Sequence, residues 1–208
     1  MNLLSEWQTY VAAAGALIAI ITGVWYVHSI VAGPTRPLRV TWGGWSLVGI
    51  LGLLSSVEGG AGIGLVATAP FVVLVMVIFV LSLSPKYGKP GGSRLDYIAG
   101  FIAAAVLLTQ PVIKYSPAVG ASVSVVADLI FFWPTVRETW RHPKLEAPGP
   151  WFLGAVAESL SIIALKNYSY ASAAYPVYIL VGNLTLLSVL SIKNPKKRTK
   201  KLKTWLSF

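Results

Sequence analysis

Two carboxylates, Asp128 and Glu158, stand inside long apolar runs of this 208-residue chain. An ionised acid at the middle of a bilayer costs about 2.5–3.5 kcal/mol on the insertion scale, so such groups face a cavity, find a partner or stay protonated. Both are candidate proton-coupling residues, able to load and release a proton as access to them alternates. The plainer reading has Asp128 hydrogen-bonded to a neighbouring helix and Glu158 paired with a cation near the membrane boundary. Lys166, eight residues after Glu158, is about 12 Å away along a helix and too far for direct contact.

Other polar and aromatic residues recur at helical spacing. Trp45, Gly49, Gly52 and Ser56 form one stripe, and Trp151, Gly154, Glu158 and Ser161 form another. Stripes of small residues let helices pack closely, and Trp45 and Trp151 also suit an interfacial aromatic belt. The functional alternative is that Trp45, Trp151 and Ser161 contact a polar solute by stacking and hydrogen bonding. Asn183, an amide in an apolar segment, can donate to and accept from a hydroxylated solute, or simply bond a neighbouring helix. Pro70 and Pro176 each remove a backbone hydrogen bond and could act as hinges, although proline near a helix start is tolerated without any such role. His28 is read as an interfacial residue that could relay protons. With no cysteine and two histidines, no metal site or cofactor is expected. No nucleophile–base pair suggests an enzyme.

These residues need helices to position them. Hydrophobic residues make up 55% of the chain and charged ones 12%, against about 25% charged in a soluble domain. That composition marks an all-α polytopic integral membrane protein. Hydropathy predicts seven transmembrane spans, at 10–32, 43–57, 62–84, 96–113, 117–133, 150–165 and 171–192. The second and sixth are short and rich in Gly and Ser, which suits a place inside the bundle or beside a cavity. No basic residue precedes the first apolar run, so it is read as a retained helix rather than a cleaved signal.

The net charge of +10 is one-sided. Fifteen of the seventeen Lys and Arg fall in the first, third and fifth connections and in the basic tail 193–208, leaving Lys114 and Lys166 opposite. By the positive-inside rule the amino terminus is outside and the carboxyl terminus cytoplasmic. A nucleic-acid footprint is thereby excluded. The tail reads either as a topogenic anchor or as a site for anionic lipid.

Shifting the chain by 106 residues aligns Pro37 with Pro143, Gly43 with Gly149, Trp45 with Trp151, Ser55 with Ser161 and Pro70 with Pro176, without a gap. The fourth span has no counterpart. A three-helix unit repeated directly would insert upside down, and one extra crossing restores its orientation. The organisation expected is therefore a first three-helix repeat (1–95), an inversion linker helix (96–113), a second, parallel repeat (114–192) and the tail. A solute path belongs at the repeat interface near the midplane.

Pro134-Thr135 at the end of the fifth span, Pro143, the Gly149-Pro150-Trp151 run and Asn183 resemble the SWEET and PQ-loop superfamily. The chain is most similar to a prokaryotic branch with Arg36-Pro37-x-Arg39-x-Thr41-Trp42 in the first connection and Asp128 ahead of Pro134-Thr135. Thr135 replaces the Gln of the Pro-Gln pair, His28-Ser29 stands where the first-half pair would lie, and Val77 matches Asn183. The resemblance implies a 3+1+3 fold in a prokaryotic plasma membrane and a facilitator or proton-coupled carrier for a small polar solute such as a sugar. Expected partners are that solute, protons and anionic lipid, with homo-oligomerisation left open. A non-transporting receptor or lipid-binding scaffold on the same fold is the alternative.

Overall fold

A computed structural model describes residues 3–58, 64–165 and 168–193, with side chains for 7–51, 72–165 and 168–193. The side chains of Ser56 and Pro70, with Lys166 and the tail beyond Lys193, lie outside the described residues. The chain is all-helical, with α1 (Leu3–Ala32), α2 (Arg39–Glu58), α3 (Gly64–Leu83), α4 (Arg94–Ile113), α5 (Pro117–Arg141), α6 (Pro148–Ile163) and α7 (Tyr170–Lys193). A 3-10 turn, Pro143–Leu145, precedes α6.

Among the described residues, four helices can cross a membrane by length and composition: Trp7–Ala32 of α1, with α4, α5 and α7. Large apolar side chains such as Leu17, Val80, Phe101, Val112 and Leu129 point outward. Asp128, Thr41, Thr135 and Asn183 point inward. An apolar exterior around a polar interior is what lipid selects, because lipid cannot satisfy a polar side chain and the bundle interior can.

Helix packing has a two-fold logic. Among the described residues α3 packs against both α1 and α2, and α7 against both α5 and α6, while the halves meet through α1 with α6 and through α5 with α2. Exchanging α1 for α5, α2 for α6 and α3 for α7 maps each of these contacts onto another. Only α4 breaks the rule, packing on α2 and α5. The packing of α1–α3 thus recurs in α5–α7, with α4 between them.

Several helices outrun the expected spans: α1 begins at Leu3 rather than 10, and α2, expected to be short at 43–57, runs over 20 residues from Arg39 to Glu58. The fifth helix does not close at Pro134 but continues through it to Arg141. Proline forfeits one backbone bond without forbidding the helix, and the turns beyond it are tied down by side chains. Thr135 Oγ1 donates to Thr41 Oγ1 of α2 at 2.9 Å. The Arg137 guanidinium holds the Asp96 carboxylate of α4 through both nitrogens. Hydropathy falls off after Trp133 because these turns are polar, not because they are irregular.

The first, third and fifth connections gather at one end of the bundle. Lys89 N donates to Pro37 O at 3.0 Å, Arg39 N to Lys89 O at 3.1 Å, and Arg36 N to Leu145 O at 3.0 Å. Lys89 Nζ meets Glu138 Oε1 at 2.5 Å. Asp96 both completes the capping box with Ser93 at the start of α4 and pairs with Arg137. Losing the cap and the two-pronged ion pair together, Asp96→Ala is expected to cost about 2 kcal/mol of stability. Thermal unfolding in detergent measures this, and an unchanged midpoint would show both contacts to be dispensable.

Candidate functional site: a cavity between the halves

A cavity of about 770 Å³ lies between the two repeats, and Trp45, Asp128, Trp151, Glu158 and Asn183 all line it. It extends to the exposed turn between α4 and α5, where Lys114, Ser116 and Pro117 form part of its wall. At the opposite end, where the three connections gather, it stops against aromatic rings.

Asp128 is 1% exposed and joins three helices. It accepts hydrogen bonds from Trp45 Nε1 of α2 at 2.7 Å and from Tyr175 Oη and Tyr178 Oη of α7 at 2.7 and 3.1 Å. All three donors are neutral. The alternative of a hydrogen-bonded structural acid and that of a cavity acid therefore hold together here. Tyr175 and Tyr178 were not singled out by sequence, because tyrosine in an apolar helix reads as interfacial. The available signal was the spacing Tyr175, Ile179, Asn183, which places both polar residues on one helix face.

Glu158 differs. It lies on the cavity wall within electrostatic reach of Tyr175, yet among the described residues it has no hydrogen-bond or ion-pair partner. Asn183 lines the same cavity, its Nδ2 donating to Ile179 O of its own helix at 2.9 Å. A Cβ at Gly154 would approach Asn183 Oδ1 to 2.6 Å. Glycine at 154 is thus what lets α7 bring the amide against α6.

The floor of the cavity is aromatic. Trp42 lies 4.9 Å from Tyr26 and 5.0 Å from Trp45 between ring centroids. Trp45 is 6.0 Å from Phe132 and 6.2 Å from Trp151. Trp45 and Trp151 are thus interior residues, not belt residues, and the repeat brings both to the same layer. Each indole N–H finds a carboxylate: Trp45 donates to Asp128, and Trp151 donates to Glu146 Oε1 at 3.0 Å.

Glu146, in the connection ahead of α6, also accepts from Tyr26 Oη at 3.1 Å and Ala147 N at 3.1 Å. Burial pushes its carboxyl up to about 7, against the pull of these donors. Sequence reading passed over Glu146 because it stands among the cations of its connection. An acid five residues ahead of a repeat-matched tryptophan was the missed signal.

The remaining candidates do not line the cavity. Ser161 lies against α1, its backbone nitrogen 3.7 Å from where a Cβ on Gly15 would stand. Pro176 follows Tyr175 on α7 but is not among the residues that line the cavity. Pro134 and Thr135 are buried below the aromatic floor. His28 is exposed. No trio of metal-ligating side chains occurs among the described residues. Comparison of the chain with protein-family models, curated proteins and solved structures finds no match in any of the three.

Proposed function

We propose that this chain is a membrane carrier for a small polar solute, working by alternating access between α1–α3 and α5–α7. The observation that carries the reading is the single cavity on which Asp128, Glu158 and Asn183 converge between the repeats. Its volume falls in the range of pockets that enclose a small ligand. Midplane cavities at repeat interfaces are where such carriers hold their cargo.

The ties across the halves fit a gate. Tyr26 to Glu146, Thr135 to Thr41, Lys89 to Glu138 and Arg36 to Leu145 each link the first half to the second at the connection-bearing end. Rocking the halves apart breaks this set together and opens the cavity at that end. With the cation-rich end cytoplasmic by the positive-inside rule, the arrangement is an outward-facing state with a closed inner gate. Kinship with the SWEET and PQ-loop superfamily belongs to the same proposal, supported by the contact map, which repeats after α4.

Uptake into proteoliposomes over a panel of sugars, amino acids and amines, with and without a pH gradient, tests the reading. Saturable uptake of at least one solute is expected. Folded protein that moves none of them would leave the receptor or lipid-scaffold reading in its place.

A further inference from the structure

The wall of the cavity is chemically one-sided. Two carboxylates face it, and its one cationic side chain among the described residues is Lys114, exposed at the mouth. The acids are not equivalent. Asp128 already holds three donors, whereas Glu158 has none among the described residues. The same wall carries the aromatic side chains of Tyr26, Trp45, Trp151 and Tyr175.

A neutral sugar gives an unpaired carboxylate nothing that water would not give it. An anion would meet two like charges with no interior cation to offset them. A positive charge answers both features, since a carboxylate neutralises it and aromatic faces stabilise it once it leaves water. We propose that the solute is a small organic cation, a protonated amine or quaternary ammonium on an apolar or aromatic body, with Glu158 as its counter-ion. The aromatic walls take the body, and Asn183 is placed for a hydroxyl or carbonyl on it. This rests on the carrier reading above and narrows it.

Matched compounds separate the two readings. The full-length protein is titrated, through the fluorescence of its cavity tryptophans, with tyramine against its neutral alcohol analogue tyrosol, with choline against 3,3-dimethyl-1-butanol, and with glucose. Radiolabelled tyramine, choline and glucose are then offered to proteoliposomes. Cations are expected to bind at least about tenfold more tightly than their neutral partners. In Glu158→Gln that preference falls to about twofold or less with neutral binding unchanged, and in Glu158→Asp, which keeps the charge, most of it survives.

Equal or tighter binding of the neutral partners or glucose would overturn the cation assignment, while any uptake would still support a carrier. Selective cation binding without uptake would uphold the site and overturn transport. Loss of preference in both Glu158 variants, or in neither, would remove Glu158 as the counter-ion.

Discussion

Asp128→Asn is expected to abolish solute accumulation driven by a pH gradient, by at least about tenfold, while solute exchange across the membrane persists. The geometry makes this a clean substitution. Trp45 Nε1 can only donate, and an asparagine Oδ1 still accepts from it. Tyr175 Oη now bonds to Oδ2 at 2.7 Å, and a phenol can accept from an amide NH2 as readily as it donates to a carboxylate. The fold therefore survives and only the exchangeable proton is lost.

Asp128→Leu is a different experiment. It strands an indole N–H and two phenols in the interior, at about 1–3 kcal/mol for each donor left unpaired, and is expected to cost the protein its stability in detergent. The link to gating runs through Trp45. This indole is both a donor to Asp128 and part of the aromatic floor, so on the carrier reading protonation of Asp128 is expected to weaken the Trp45 bond and loosen the layer at the connection-bearing end. If Asp128→Asn and Glu158→Gln together leave accumulation intact in proteoliposomes, the acids are structural and the floor answers to something else.

Sequence alone exposed the helices and their two-fold order, because both depend on bulk properties. Transfer of apolar side chains into lipid sets the spans, and the joint return of Pro, Gly and Trp at one fixed offset stands out against a background of Leu and Val. The site was legible where a residue's presence is itself costly, as with Asp128, Glu158 and Asn183. It failed where direction decides. Ser161 shares a stripe with Trp151, but ten residues at 3.6 per turn rotate it about 80° away, enough to face α1 instead of the cavity. Glu158, seven residues on, is turned only about 20° and stays in the wall. Tyr175, Tyr178 and Glu146 escaped notice because tyrosines in membrane helices and charges in connections are ordinary. Only their convergence on Asp128 and on Trp151 makes them part of the site.

A second large effect is expected at Glu146, which fastens α1 to the start of α6 through Tyr26 and Trp151. In the closed arrangement burial raises its carboxyl from the ordinary 4.5 to about 7. On the carrier reading, opening this connection-bearing end hydrates it and returns it toward 4.5. Because closure raises the value, the protonated acid favours the closed gate. That preference is complete below about 4.5 and fades as pH rises to about 7, at up to about 1.4 kcal/mol per pH unit. Above that window the ionised carboxylate is drawn to water. Arg36, Glu138 and His142 face the same crevice. Glu138 is held by Lys89 and His142, at 2.5 and 3.0 Å. The chain has no cysteine, so Val48→Cys in the cavity wall gives a unique thiol that reports access from the inner side. Its labelling by an impermeant maleimide supplied only from the connection-bearing side of sealed, oriented vesicles, normalised to a surface Lys144→Cys control, is expected to rise about tenfold between pH 5 and pH 8. In Glu146→Gln the acid is permanently neutral, and labelling should stay low throughout. In Glu146→Leu the Tyr26 hydroxyl and Trp151 N–H lose their acceptor, a cost of about 1–3 kcal/mol each, and labelling should be high at every pH. A flat normalised profile in the unsubstituted protein would show that the gate is held by Lys89–Glu138 and Thr135–Thr41 and does not depend on Glu146.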